Sequence, residues 1–348
     1  MYNQSMEINL RAPVEVLITL PLKEEVLQPV RDLSPHINLT VIPARRPEDI
    51  PAEVWAKTEV LYTDRVLPAP EQVPALRWLQ FHFAGIDFAV DSPLLQKEDL
   101  KVTNLSGAAA AQTAEFALTM MLALAHRLPA LMQAQSRAEW AHDRWERFRP
   151  VELRFSTVGI VGYGSIGREL ARLLQPLGVK VLACKRDVRH PQDEEYIPEG
   201  MGDPQGIYFT RLYPYQALRT MFRECDFAVV TVPLTPQTRG MIGADELAAL
   251  KPGAFLVVVG RGGVVDETAL LEALQEKRLG GVALDVFAEE PLAPTSPLWK
   301  APNLIISPHI AGLSVHYDER AMALFATNLR RYIQGERLYN LYEPERGY

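Results

Sequence analysis

Cysteine is nearly absent. The two in 348 residues, Cys184 and Cys225, each border an apolar strand-like run and neither has a C-x-x-C partner. Neither a disulfide framework nor a zinc site is expected, no metal is called for, and a reducing cytoplasm is the expected compartment. A basic excess is also missing: 36 Lys and Arg face 43 Asp and Glu, for a net charge of −7, which repels phosphate backbones and speaks against a nucleic-acid partner. There is no long hydrophobic run. The longest, Phe116 to Ala125, is bounded by Glu115, His126 and Arg127 and is far short of the ~20 residues a membrane crossing needs. The opening residues lack a basic stretch leading into an apolar one with a small-residue cleavage site, so no secretion signal is expected. Internal repeats and low-complexity segments are lacking as well. What remains, 48% hydrophobic and 23% charged residues, is the composition of a soluble globular protein. The length is about twice a ~150-residue domain, so two domains are expected.

Short apolar segments punctuate the chain from Val14 to Ser106: VEVLITL, NLTVIP, EVLYTD, LRWLQFHF and KVTNLS. They read as strands, with Lys23 to Leu33 and Pro47 to Thr58 as helical crossovers, which implies a parallel sheet. SGAAAAQTAEFALTMMLALAHRL then reads as one long helix, since no glycine or proline interrupts it between Ala108 and Leu128. A second series of six strands follows: TVGIVG, KVLACK, DFAVVTVPL, AFLVVVG, VALDVF and NLIISP. A last helix, roughly Val315 to Gln334, is expected to return to the first sheet. The expected fold class is therefore α/β, with two Rossmann-like, doubly wound parallel-sheet domains and a cleft between them. The expected division is a discontinuous substrate domain, 1–108 with 313–348, and a dinucleotide-binding domain, 109–312. About thirty residues between Lys185 and Gln216 fit neither series and read as an insertion of unassigned purpose.

Directly after TVGIV stand Gly162, Tyr163, Gly164, Ser165, Ile166 and Gly167, followed by the amphipathic RELARLLQPLG. Strand, G-x-G-x-x-G, helix is the dinucleotide-binding context: one glycine for the tight turn, one for close approach of the pyrophosphate, one for helix–strand packing. The next strand ends in Cys184-Lys185-Arg186 instead of the carboxylate that receives a ribose 2′-OH. Two cations suit a 2′-phosphate, so NADP(H) is favoured, with NAD(H) the alternative through Asp187. Three later strand ends run into Arg261, Glu290 and His309. In a doubly wound sheet these positions border one crevice. A guanidinium holds a carboxylate and polarises a carbonyl; an imidazolium hands over a proton as hydride arrives; a carboxylate orients the imidazole. Taken singly, Arg261 is more often a surface ion-pair partner, His309 a capping or core histidine and Glu290 a solvated loop residue; jointly, on three successive strand ends after a nucleotide fingerprint, they read as a catalytic set.

With these motifs in order, the chain resembles the D-isomer-specific 2-hydroxyacid dehydrogenases, the family that includes glyoxylate/hydroxypyruvate reductases. The likeness runs through HFAGIDFAV, VTNLSG, AEFAL, VGIVGYGSIGRELA, VPLTPQTRGMI, GRGGVVDETALLEAL, ALDVFAEEPL, SPHIAG and the final GY. It implies Arg261 as the substrate-binding cation, Glu290 as the histidine's partner and His309 as general acid/base. It further implies that Phe83, Ala84, Gly85 and Ile86 meet the substrate carboxylate, and that Thr231, Val232 and Pro233 lie along the cofactor. Gly260, Asp285, Ala311 and Gly312 are placed at the nicotinamide. Lys185 and Arg186 resemble the NADPH-using glyoxylate/hydroxypyruvate reductase branch. Val259 and Ala109 depart from the family, standing where asparagine is frequent. The resemblance thus implies a homodimeric oxidoreductase for a small 2-keto or D-2-hydroxy acid of the glyoxylate or hydroxypyruvate type. The alternative is an NAD(P)-sensing, corepressor-like binding protein on the same fold. Trp55, Phe81, His82 and Phe83 are candidate specificity side chains.

Overall fold

The computed structural model describes residues 13–344. The segment before Pro13, on which the absence of a secretion signal is read, and the terminal Gly347-Tyr348 pair lie outside the described residues. The chain divides into two compact units, Met1–Ala108 with Val315–Tyr348, and Ala109–Ser314.

The first unit begins with β1 (Val14–Ile18), α1 (Glu24–Arg31), β2 (Ile37–Val41), α2 (Ala52–Lys57), β3 (Val60–Thr63), β4 (Trp78–Phe81) and β5 (Lys101–Thr103). Its sheet has the order β2-β1-β3-β4-β5, and every pair is parallel. Both faces of β3 and β4 are covered, and all their residues are buried. Their runs are therefore mostly apolar instead of alternating, and the two polar exceptions, Thr63 and Gln80, are buried and hydrogen-bonded through their side chains.

The second unit opens on α3 (Ala110–Ala125), α4 (Leu128–Ser136) and α5 (Arg144–Arg147). Along α3, Ala110, Ala114, Ala117, Met121 and Leu124 form one buried stripe at helical spacing; the alanines let the helix lie close against its neighbours. Then come β6 (Thr157–Val161), α6 (Ser165–Leu174), β7 (Lys180–Cys184), β8 (Arg211–Tyr213), α7 (Leu218–Phe222) and β9 (Phe227–Val230). They are followed by α8 (Ala244–Ala249), β10 (Phe255–Val258), α9 (Glu267–Gln275), β11 (Gly281–Leu284) and β12 (Leu304–Ile306). The sheet order is β12-β11-β10-β9-β6-β7-β8, again parallel throughout. Six of these strands are the expected ones. The seventh, β8, lies at the far end of the insertion, where a three-residue RLY with an exposed arginine carries no apolar-run signal.

The last helix, α10 (Tyr317–Gln334), packs into the first unit. The Phe325 ring sits 4.8 Å from that of Tyr62 and 5.3 Å from that of Trp78, centroid to centroid, and Tyr332 stacks on Trp78 at 5.5 Å. No helix among the described residues is long and apolar enough to cross a membrane. Cys184 and Cys225 are free and buried, and burial pushes both thiols up to about 12.

Phe325→Ala leaves a void between α10 and the first sheet. It is expected to cost about 3–5 kcal/mol, read as a lower urea midpoint by tryptophan fluorescence; an unchanged midpoint would remove Phe325 from the load-carrying core.

Candidate active site

Because the second sheet is parallel, the carboxyl ends of its strands lie along one edge. The residues singled out from the sequence of this unit follow those ends. The fingerprint joins β6 to α6. A Cβ on Gly167 would stand 2.2 Å from the carbonyl oxygen of Gly162, so only glycine lets helix and strand end approach this closely. At Gly164 a Cβ would meet nothing within 4 Å. Open space therefore faces the amino end of α6, whose first N–H groups have no acceptors inside the helix. Space and polarity both fit the pyrophosphate of a dinucleotide. Thr231, just past β9, ties the loop down: its N–H donates to Val161 O at 2.9 Å and its hydroxyl to Gly162 O at 2.8 Å. Val232 is buried, and Pro233 O accepts the Thr238 hydroxyl at 2.6 Å.

Tyr163 offers only its backbone to that space. Its ring is buried and its hydroxyl donates to Asp203 Oδ2 at 2.6 Å; burial and that bond raise the phenol well above its ordinary range. At the end of β7, Lys185 Nζ donates to His190 O at 2.8 Å and Gln192 O at 3.4 Å. Arg186 is exposed. The Asp187 carboxylate faces His190 Nδ1 at 2.6 Å and accepts Arg189 N–H at 2.9 Å; together these hold it below the usual carboxylate range.

Arg261, Glu290 and His309 follow β10, β11 and β12, which are adjacent in the sheet. Arg261 is half-buried, with Nη1 donating to Gly260 O at 2.9 Å. A Cβ on Gly262 would lie 1.8 Å from Phe287 O, so the Arg261 turn rests directly on the loop that carries Glu290. Glu290 Oε1 accepts the Phe287 N–H at 2.9 Å, which aims Oε2 at His309 Nδ1, 2.7 Å away. His309 has φ of 54°, a left-handed conformation uncommon for a residue with a side chain. Buried Asp285 enforces it. Its carbonyl oxygen accepts His309 N–H at 2.8 Å. Its carboxylate accepts the Ser307 hydroxyl at 2.6 Å and the N–H groups of Ile310 and Ala311, each at 2.9 Å. The Asp285 side chain thus builds the histidine's turn, a role its place in the family pattern did not convey. Nδ1 is engaged by Glu290, and Nε2 is the ring nitrogen left to exchange a proton with a ligand.

The loop Phe83, Ala84, Gly85, Ile86 belongs to the first unit, after β4. Leu105 N–H donates to Phe83 O at 3.1 Å and the Tyr317 hydroxyl to His82 O at 2.6 Å. Ile86 is buried among the first unit's core residues, so its side chain does not face a ligand. His82 is buried with Nδ1 2.6 Å from the Tyr62 hydroxyl. Desolvation lowers its pKa, against the opposing charges of Asp318 and Asp64. Of the candidate specificity side chains, Trp55 and Phe81 are corrected by the structure: both are wholly buried. Trp55 donates through Nε1 to Pro47 O at 3.0 Å, and Phe81 sits on a strand covered on both faces.

Residues 118–311 match the D-isomer specific 2-hydroxyacid dehydrogenase, NAD binding domain, family. The chain belongs to the D-isomer specific 2-hydroxyacid dehydrogenases. This member of the family is an NAD(P)-dependent oxidoreductase of 2-hydroxy acids. It is similar to a glyoxylate reductase of Aeropyrum pernix, with 33% identity over 295 residues covering 82% of each chain. Among solved structures it is similar to a D-isomer specific 2-hydroxyacid dehydrogenase from Xanthobacter autotrophicus Py2 in complex with NADPH and MES. That likeness has a TM-score of 0.78 and 26% identity, covering 96% of this chain and all of that one. An NADPH-dependent glyoxylate/hydroxypyruvate reductase from Sinorhizobium meliloti, in complex with NADP and sulfate, gives a TM-score of 0.74 and 25% identity. It covers 96% of this dehydrogenase and 100% of that chain.

Asp285→Ala strands two N–H groups and a hydroxyl around the histidine turn. It is expected to cost about 1–3 kcal/mol per group left unsatisfied, measured as a fall in urea midpoint; a midpoint equal to wild type would show that the turn holds without it.

Proposed function

We propose that the enzyme reduces a small 2-keto acid, of the glyoxylate or hydroxypyruvate type, to the D-2-hydroxy acid, with NADPH as its preferred cofactor. The observation that carries this reading is the 2.7 Å His309–Glu290 contact, held on a strand end beside the turn of Arg261. A reduced nicotinamide, if bound beside the strand ends of this sheet, would supply the hydride. His309 delivers a proton from Nε2 to the carbonyl oxygen, while Glu290 receives the Nδ1 hydrogen bond and keeps the ring in one orientation. Arg261 holds the substrate carboxylate and draws charge onto the carbonyl oxygen. The backbone of Phe83 to Ile86 is assigned to the carboxylate by the family pattern. Thr231 to Pro233, Gly260, Ala311 and Gly312 are assigned to the cofactor on the same ground.

The cofactor preference is supported by two similar enzymes that hold NADPH or NADP and by the strand end Lys185-Arg186, which offers cations where a carboxylate would favour NAD. Arg186, exposed beside that turn, is the residue assigned to the 2′-phosphate.

His309→Ala is expected to lower kcat for glyoxylate or hydroxypyruvate by roughly 10²–10⁴-fold with NADPH binding, followed by its fluorescence, preserved. Turnover at the wild-type rate would refute the assignment. In wild type, kcat/KM is expected to be higher with NADPH than with NADH, and Arg186→Ala to narrow the gap by about tenfold. A wild-type preference for NADH would overturn the cofactor reading.

A further inference from the structure

The connection from β7 to β8 is far longer than the usual two to six residues, and it is organised around a buried charge. Arg168, in the second turn of α6, is 0% exposed. Its Nη1 donates to Asp203 O at 2.5 Å and its Nη2 to Pro191 O at 2.6 Å and Gln192 O at 3.2 Å. Its Nε lies 3.0 Å from the Asp193 carboxylate. All four partners belong to the connection. Asp203, 1% exposed, accepts the Tyr163 hydroxyl at 2.6 Å and the N–H groups of Ile207 and Tyr208, each at 2.9 Å. Buried Glu169 accepts Gly202 N–H at 2.7 Å. Tyr163, Arg168 and Glu169, all within or just after the dinucleotide fingerprint, thus grip one segment. A buried guanidinium stripped of its partners is strongly destabilising, so the segment cannot lift away without stranding that charge.

The same segment starts at the position that chooses the cofactor. Gln192 O accepts from both Arg168 Nη2, at 3.2 Å, and Lys185 Nζ, at 3.4 Å. One carbonyl therefore links the buried arginine to the strand-end turn, and Lys185 closes that turn through His190 O as well. The fingerprint helix and the turn carrying Lys185 and Arg186 are held as one piece.

We propose that residues 187–210 are a cofactor-selecting element. Held by Arg168 through the Asp193 carboxylate and the Asp203 carbonyl, and by Tyr163 through the Asp203 carboxylate, they fix the Lys185-Arg186 turn in the shape that accepts a ribose 2′-phosphate. Asp193 and Asp203 are positioning residues, acting through the turn. The inference rests on the NADPH reading above.

The test measures dissociation constants of NADPH and NADH by fluorescence for the full-length wild type, Asp193→Asn and Asp203→Asn. Each variant is expected to weaken NADPH by about tenfold and to leave NADH within about twofold. Equal weakening of both cofactors, or none, while the wild type prefers NADPH, overturns the inference alone. A wild type that binds NADH as tightly overturns the cofactor reading and the inference with it. Should either variant fail to fold, limited trypsin digestion of the wild type decides. Adenosine 2′,5′-bisphosphate is expected to protect Arg186 and Arg189 from cleavage more than adenosine 5′-monophosphate does, and equal protection overturns the proposal.

Discussion

The parallel sense of the second sheet is the constraint on which the chemistry depends. When seven strands run the same way, their carboxyl ends share an edge, and residues far apart in the chain stand side by side on consecutive loops. The fingerprint after β6, Thr231 after β9, Arg261 after β10, Glu290 after β11 and His309 after β12 are all delivered by this one rule. Parallel strands also require crossovers. Their helices cover both faces of the sheet, so the strands stay apolar and the polar side chains are displaced to the ends.

A parallel sheet places loops; it does not shape them. Shape here comes from buried polar groups that draw their partners from distant parts of the chain. Asp285 receives a hydroxyl and two backbone N–H groups and holds His309 in a left-handed conformation. Arg168 gathers two carbonyl oxygens at hydrogen-bond distance below 3 Å and the Asp193 carboxylate, binding a long connection to the fingerprint helix. Both residues are almost fully removed from water. An unsatisfied polar group there costs far more than a well-made bond returns, so the loops they organise have few alternative arrangements.

Much of the fold was legible in the sequence because the signals were local. Apolar runs of β length separated by helical segments marked eleven of the twelve strands among the described residues, and the glycine spacing after β6 marked the dinucleotide loop. Where the deciding contact is distant, the local sequence carries no signal. β8 is three residues long with an exposed arginine, and it is a strand only because β7 lies beside it. Trp55 on α2 and Phe81 on β4 are candidate specificity side chains by their neighbourhood in sequence; burial in the first unit's core withdraws both. Tyr163 sits within the fingerprint, yet its ring turns inward to Asp203, forty positions later.

By itself the sequence determined the α/β class, the order of most elements, the dinucleotide fingerprint and the placing of Arg261, Glu290 and His309 after three successive strands. These follow from spacing, polarity and side-chain chemistry, which are properties of short stretches. Only the tertiary structure decided at what distance Glu290 faces the histidine, that Asp285 is the scaffold of its turn, and that the unassigned insertion is fastened to the fingerprint helix through a buried arginine. Those are outcomes of long-range packing. Once a charged or polar group is taken out of water it must find its partners wherever the chain has folded to bring them.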